Sequence, residues 1–266
     1  MLSEIIKSII LGIVEGITEF LPISSTGHLI LVNQWVRFSE PFTTMFDIVI
    51  QLGAILAVVV YFWHRLWPFG RGQSQTRPVI AIWFKMVVGV IPAIILGALL
   101  GSTIEEKLFN PWVVGIALLS GGIILIYVEN RRSSFRFSSV QEIPVRTAFY
   151  IGVIQCLSMV PGTSRSAATI IGALLLGASR TAAVEFSFFL AIPTMVAASG
   201  YSLLKHSSTL TAAEFVILAT GFMFAFLSAL VVIRFFVSYI RRRDLKPFGY
   251  YRVVLGIIVV VFFLLR

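Results

Sequence analysis

Two carboxylates, a run of hydroxyls, a histidine and an arginine interrupt apolar stretches of this 266-residue chain. The first stretch reads Glu15-Gly-Ile-Thr-Glu19-Phe-Leu-Pro22-Ile-Ser24-Ser25-Thr26-Gly27-His28, and the second, about 140 residues later, reads Gln155-Cys-Leu-Ser-Met-Val-Pro161-Gly162-Thr163-Ser164-Arg165-Ser166. Ionisable groups inside hydrophobic segments are costly, so they point to function. Glu15 and Glu19 are spaced i, i+4, which on a helix brings their Cβ atoms to about 5–6 Å. Two such carboxylates cannot both stay ionised without compensation: one is protonated, or a cation bridges them. Oxygen-only ligation favours magnesium or calcium over zinc. The plainer alternative is that both carboxylates hydrogen-bond backbone inside a bundle. Ser24, Ser25 and Thr26 follow Pro22 as Thr163, Ser164 and Ser166 follow Pro161. Hydroxyl residues cap helices, and a helix N-terminus offers free N–H groups and a positive dipole end to an anion. Arg165 adds a permanent charge whose planar fork suits phosphate. Alternatively, it serves as the structural partner of Glu15 or Glu19. His28 lies one turn past Ser25, within reach of that hydroxyl as base, acid or hydrogen-bond partner.

The elements that position these groups must lie in a membrane. Hydrophobic residues make up 58% of the chain, charged ones 12%, and mean hydropathy is +0.96. That composition describes an all-α polytopic membrane protein. The net charge of +9 sits in short links between apolar runs, not on one face, which argues for topology signals and headgroup contacts and against nucleic-acid binding. The single Cys156 excludes an intramolecular disulfide and a cysteine-rich metal site. The first 21 residues are not read as a secretory signal, because two carboxylates stand where an h-region is apolar and no small-x-small site precedes Pro22.

Six apolar runs approach the roughly 20 residues that cross a bilayer: 46–63, 79–101, 111–128, 182–204, 214–240 and 250–265. Residues 1–38 and 145–178 instead read as discontinuous or re-entrant helix pairs broken near Pro22 and Pro161. Phe46-Asp47-Ile-Val-Ile-Gln51-Leu52 aligns with Val184-Glu185-Phe-Ser-Phe-Phe-Leu190, and Val113-Val-Gly115 with Val254-Leu-Gly256, so the chain divides into repeat halves of about 1–130 and 140–266. Asp47, Gln51 and Glu185 are candidate supports for the motif. The links 64–78, 129–146 and 241–252 share one side and carry Arg65, Arg71, Arg77, Arg131, Arg132, Arg136, Arg146, Arg241, Arg242, Arg243, Lys246 and Arg252. The other side has Lys7, Arg37, Lys107, Lys205 and Arg266 beside Glu4, Glu40, Glu105 and Glu106. The positive-inside rule places the basic links in the cytoplasm and both termini outside. Three spans separate the broken pairs, so the pairs enter from opposite faces as an inverted repeat, with both breaks near the midplane. His64 and His206 fall at span ends and read as interfacial anchors.

The two motifs, with Phe46-Asp-Ile-Val-Ile-Gln51-Leu-Gly and Glu185-Phe-Ser-Phe-Phe-Leu-Ala-Ile-Pro193, resemble the bacterial undecaprenyl-diphosphate phosphatases, the bacitracin-resistance protein family, over essentially the whole chain. Ala167 stands where that family usually has glycine. The resemblance implies hydrolysis of a C55 polyprenyl diphosphate to the monophosphate and inorganic phosphate with a divalent cation, recycling the lipid carrier for cell-wall polymers and conferring bacitracin resistance. It implies a multi-pass protein of the bacterial plasma membrane and leaves room for a homodimer; the topology count opens the active site to the outer side, because the carboxylate-bearing pair enters from there. On that reading Glu19, Ser25, His28 and Arg165 are catalytic, and Glu15 and Glu19 hold the cation. Ser24, Thr26, Gly27, Gly162, Ser164, Ser166 and Thr169 line the diphosphate. The attacking group is either Ser25 or a water. A transporter or flippase of a phosphate-bearing lipid is the rival class, since inverted repeats with broken helices also build carriers. A lipid-binding or assembly protein is a third.

Overall fold

The computed structural model describes every residue except 40–41, 70–72, 132–133 and 206–209; the side chains of 44, 73–75, 105 and 201–205 are also not described. Arg71, Arg132, Glu40, Glu105, Lys205 and His206, all part of the sequence expectations, therefore lie outside the described side chains. Eleven α-helices follow one another among the described residues: α1 (Leu2–Thr18), α2 (Ser25–Val32), α3 (Phe42–Tyr61), α4 (Trp63–Leu66), α5 (Gln73–Leu108), α6 (Pro111–Arg131), α7 (Val145–Gln155), α8 (Arg165–Leu175), α9 (Arg180–Lys205), α10 (Ala212–Ile240) and α11 (Lys246–Leu264). No strand is present among them beyond one isolated bridge between Phe137 and Ala178.

The expected apolar runs are all helices. Five are long and apolar enough to cross a membrane: Thr76–Ile104, Pro111–Arg131, Arg180–Gly200, Ala212–Ile240 and Lys246–Leu264. The run at 46–63 supplies a shorter apolar helix, Met45–Tyr61, within α3, so the expectation of six full spans is met by five. Helix α9 is the interior of the bundle. Its apolar window is 67% buried, against 28–33% for the other four, whose outer faces remain apolar. Helices that are apolar all round belong where protein or lipid surrounds them. Phe186, Phe188 and Phe189 of α9 are fully buried, and the ring of Phe188 meets Phe20 edge-on at 5.3 Å while Phe189 meets Phe62 at 5.0 Å. Phe20 thus seats the first break directly on the central helix.

Close helix approach is licensed by small residues, since lipid gives apolar helices little hydrophobic reason to associate. Helix α1 packs on α10, and α7 on α5; α3 lies against both α9 and α10, and α6 against α11. A Cβ on Gly12 would stand 2.5 Å from the carbonyl oxygen of Gly221, and one on Gly152 would overlap the carbonyl of Gly89. Ion pairs lock the ends of the bundle. Glu129, with its side chain fully buried, accepts two bonds from Arg180 Nε at 3.0 and 3.1 Å, one from Arg180 Nη2 at 2.7 Å, and one from the Leu245 backbone N–H at 3.3 Å.

One expected link cation is corrected here. Arg65 stays in the connection between α3 and α5, in the short α4, and pairs with Glu185 of α9 at 2.7 Å. Arg252 is not in a link at all: α11 begins at Lys246, so Arg252 is well inside it, and it is wholly buried.

Candidate active site

The chain breaks twice in the same way. After α1, Glu19 through Ile23 turn past Pro22, and Ser24 takes up φ 73°, ψ 101° before α2. After α7, a 3-10 turn over Cys156–Met159 leads through Pro161 and Gly162 (φ 90°) to Ser164 at φ 69°, ψ 120° before α8. Positive φ on a residue with a Cβ costs about 1–3 kcal/mol and persists only where the surroundings hold it. Both serines are held by their own caps: Ser24 Oγ accepts from the Gly27 N–H and Ser164 Oγ from the Ala167 N–H, each at 3.2 Å. The first N–H groups of α2 and α8 have no acceptor within their helices, so the two breaks present polar backbone to one interior region.

Side chains join the breaks. Glu19 Oε1 accepts from Arg165 Nη2 at 3.1 Å, and Glu19 Oε2 accepts from Ser25 Oγ at 2.8 Å. Both members of the ion pair are about nine-tenths buried. Arg165 is fixed further by a bond from Nη1 to the Ser187 carbonyl at 2.9 Å and by the Phe20 ring, 5.8 Å from its guanidinium. Ser166 Oγ donates to the Leu21 carbonyl at 2.8 Å, a second tie between the motifs. A hydroxyl bonded to a carboxylate that is itself oriented by a third group is the arrangement of an activated nucleophile. Removing one partner of such a buried pair strands the other charge, typically a loss of about 3–5 kcal/mol.

Glu15 is completely buried one turn before Glu19. No hydrogen bond of ordinary geometry reaches either of its oxygens among the described residues, and Glu19, Asp47 and Arg165 lie within electrostatic reach. Asp47, one of the expected supports, therefore acts on the motif through its charge. No group of three or more His, Cys, Asp or Glu side chains suited to a metal occurs among the described residues.

Other expected site residues are placed less simply. His28 does not pair with Ser25. Its Nδ1 lies 2.7 Å from the Ser24 carbonyl and its Nε2 2.7 Å from the Tyr251 hydroxyl, with the two rings nearly parallel. A carbonyl only accepts, so Nδ1 carries the proton and, in the neutral ring, Nε2 accepts from Tyr251. The reason is geometric: helical side chains lean toward the N-terminus, which carries the imidazole back over the Ser24 cap. Ser166 and Thr169 are fully buried, and Thr169 bonds the Arg165 and Ser166 carbonyls and, at 2.6 Å, Ser187 Oγ. Their hydroxyls brace Arg165 and the breaks and do not face an open space. Gly27 is the close-packing point of α2 on Leu118, and Gly162 combines positive φ with the Val114 backbone against its Cα. Ser25, Thr26, His28, Ser158, Thr163, Ser164 and Arg165 are polar residues at the breaks that stay partly accessible.

Sequence reasoning missed Arg252. It donates to the carbonyls of Pro22 (3.4 Å), Ala117 (3.0 Å) and Gly162 (3.2 Å), touching both breaks and α6. The signal that could have found it is an arginine within the apolar run 250–265, between Gly249 and Gly256 on the face that meets α6. Tyr251, its neighbour, was missed likewise.

These features define a polytopic helical membrane protein with a buried hydroxyl–carboxylate–guanidinium centre where two helix breaks meet. The chain belongs to the family described as bacitracin resistance protein BacA, which matches residues 8–258. It is 48% identical to undecaprenyl-diphosphatase 1 of Clostridioides difficile (strain 630) over 99% of this chain and 98% of that protein. It is 50% identical to the undecaprenyl-diphosphatase of Lachnoclostridium phytofermentans, over 98% of each chain, and 49% identical to that of Enterococcus faecalis, over 97% of this chain and 96% of that one.

Proposed function

We propose that this protein hydrolyses undecaprenyl diphosphate to undecaprenyl phosphate and inorganic phosphate, at the point where the two breaks meet. The observation that carries the reading is the continuous chain from Ser25 through Glu19 to Arg165, which joins both motifs of a BacA-family protein inside an apolar bundle. Ser25 Oγ forms the new O–P bond to the terminal phosphoryl group as its proton passes to Glu19. The bond from that phosphorus to the bridging oxygen breaks, and the prenyl monophosphate leaves. Water then hydrolyses the phosphoserine and releases inorganic phosphate. Arg165 and the N–H groups that open α2 and α8 neutralise charge on the transferred group, the main task in phosphoryl transfer. Diphosphate oxygens compete with Glu19 for Arg165, which frees the carboxylate to act as base. Thr26, Thr163 and Ser164 supply further donors.

Glu15, whose buried oxygens have no ordinary partner among the described residues, would hold a divalent cation together with Glu19, and hard oxygen ligands suit magnesium or calcium. When bound it would offset charge on the diphosphate. The polyprenyl tail follows a lateral groove of about 330 Å³ lined by Val113, Ile116, Ile124, Leu157 and Val160, which reaches Thr163. In the cell this activity would recycle the lipid carrier for cell-wall polymers and underlie bacitracin resistance.

The chain forms one membrane domain of two inverted halves, about 1–130 and 140–266. The matching serine caps and the packing of α1 on α10 and α7 on α5 support that division. The excess of Arg77, Arg131, Arg136, Arg146, Arg241, Arg242 and Arg243 on one side survives removal of Arg252 and supports cytoplasmic links, termini outside and headgroup access from the outer face of the plasma membrane.

Phosphate release from a long-chain prenyl diphosphate by the purified protein, with and without chelator, tests the activity. Turnover abolished by chelator and restored by magnesium or calcium is expected; headgroup movement across liposomes without phosphate release would replace the enzyme with a carrier. Ser25→Ala should abolish turnover, and substantial residual turnover would make water the nucleophile.

A further inference from the structure

Arg252 has no carboxylate partner among the described residues, yet it is fully buried in α11. Its Nη1 and Nη2 groups donate to three carbonyls from three separate elements, while Nε finds no hydrogen-bond partner among the described residues. Two of these, Pro22 and Gly162, are equivalent: each stands two places before the positive-φ serine that caps the next helix. A carbonyl turned toward a cation at that position fixes the peptide that leads into the strained cap. One guanidinium thus grips both breaks at the same step of their turns, which sets the distance between the α2 and α8 N-termini.

The room for this grip comes from α6. A Cβ on Gly121 would overlap Arg252 Nη2 and come within 3.0 Å of its Cζ, with no backbone contact among the nearest atoms. Gly121 is therefore a slot for the guanidinium, not a helix-crossing point.

We propose that Arg252 is a positioning residue for phosphoryl transfer: held in the Gly121 slot, it clamps the Pro22 and Gly162 carbonyls so that Ser25 and Arg165 meet the same phosphoryl group. The proposal rests on the function given above. Its charge also adds to the positive field of the site, since no ion pair engages it among the described residues.

The test uses full-length protein in lipid nanodiscs and compares wild type with Arg252→Lys, Gly121→Ala and the double variant. Rates, inhibition by inorganic diphosphate and thermal unfolding are measured for each. A lysine keeps the charge but lacks the fork that spans two separate acceptors. Arg252→Lys should keep a cooperative unfolding transition yet lose about tenfold or more in kcat, with weaker inhibition by inorganic diphosphate. Gly121→Ala leaves every charge in place and should shift the same two quantities in the same direction by a smaller factor. The double variant should be no worse than Arg252→Lys alone, because a shorter side chain no longer needs the slot. A rate loss that only tracks the folded fraction, unchanged inhibition by inorganic diphosphate, or additive losses would each overturn the clamp. Unfolding of Gly121→Ala as well as Arg252→Lys would also overturn it, since the slot would then serve packing. No turnover by wild type would sink the proposed function instead, whereas wild-type turnover with unaffected variants sinks the clamp alone.

Discussion

The break after α1 and the break after α7 share a backbone and differ in almost every side chain that matters. Ser24 and Ser164 hold the same unusual φ and the same 3.2 Å cap. Counted from those caps, Ser25 corresponds to Arg165, Glu15 to Gln155, Glu19 to Met159 and His28 to Ala168. The hydroxyl and the guanidinium therefore occupy the same helical position, one on each side, and Glu19 bridges them. The proposed mechanism gives the first break the acid–base chemistry and the second the clamp on charge. Gln155 shows what the second copy does without a carboxylate: it bonds Thr194 Oγ1 at 3.2 Å and needs no ion.

The strongest way to break this division is to remove the bridge. Glu19→Gln should lower phosphate release by about 10²–10⁴-fold, the range expected for loss of a general base, while the protein stays helical by circular dichroism. Near wild-type turnover would detach Glu19 from the chemistry. A smaller loss is expected from Tyr251→Phe, because the His28 Nε2 bond has no counterpart in the second break. One hydrogen bond is worth about 0.5–1.5 kcal/mol, so kcat/KM should fall roughly threefold to tenfold; an unchanged value would make the Tyr251 contact incidental. Gln155→Glu sharpens the comparison from the other side. It adds a carboxylate to the copy that lacks one, and turnover should stay within about threefold of wild type even if the melting temperature falls, as burying a poorly compensated acid requires. A gain in turnover or in metal dependence would show that the second copy still takes part in ionic chemistry. The smallest effects belong to Ser24→Gly and Ser164→Gly, where the lost cap and the relieved φ oppose each other. Each should change stability by about 1 kcal/mol or less in thermal unfolding, and by similar amounts; a large difference would mean the two turns are held by different forces.

Much of this was legible in the sequence because it rests on residue types that punctuate or cost. Proline, serine and glycine marked both breaks, charges in apolar runs marked Glu15, Glu19 and Arg165, and hydropathy marked the helices. The parts that were not legible depend on partners without a sequence signature. Arg252 and Lys85 bind backbone carbonyls, which every residue has, Lys85 reaching those of Val140 and Gln141 at 3.2 and 2.7 Å. The partner of His28 is not legible because spacing along α2 favours Ser25, whereas the ring turns to a hydroxyl 223 residues away. Nor does the sequence tell which way Ser166 and Thr169 point, since hydroxyls beside a phosphate-type motif can face it or the helix packed behind it. Burial decides which way they point, and burial follows from tertiary packing of α8 on α9.

The reach of Arg252 also bears on how the protein is made. Glu19 and Arg165 have both been synthesised long before α11, but the guanidinium that seizes their flanking turns arrives only with that helix. A nascent chain that has inserted α1 through α10 therefore possesses Ser25, Glu19 and Arg165 and lacks the anchor of their turns. Contacts of such long sequence separation form late and slowly. The order of synthesis thus leaves the Ser25–Glu19–Arg165 cluster without its Arg252 anchor until α11 has been added.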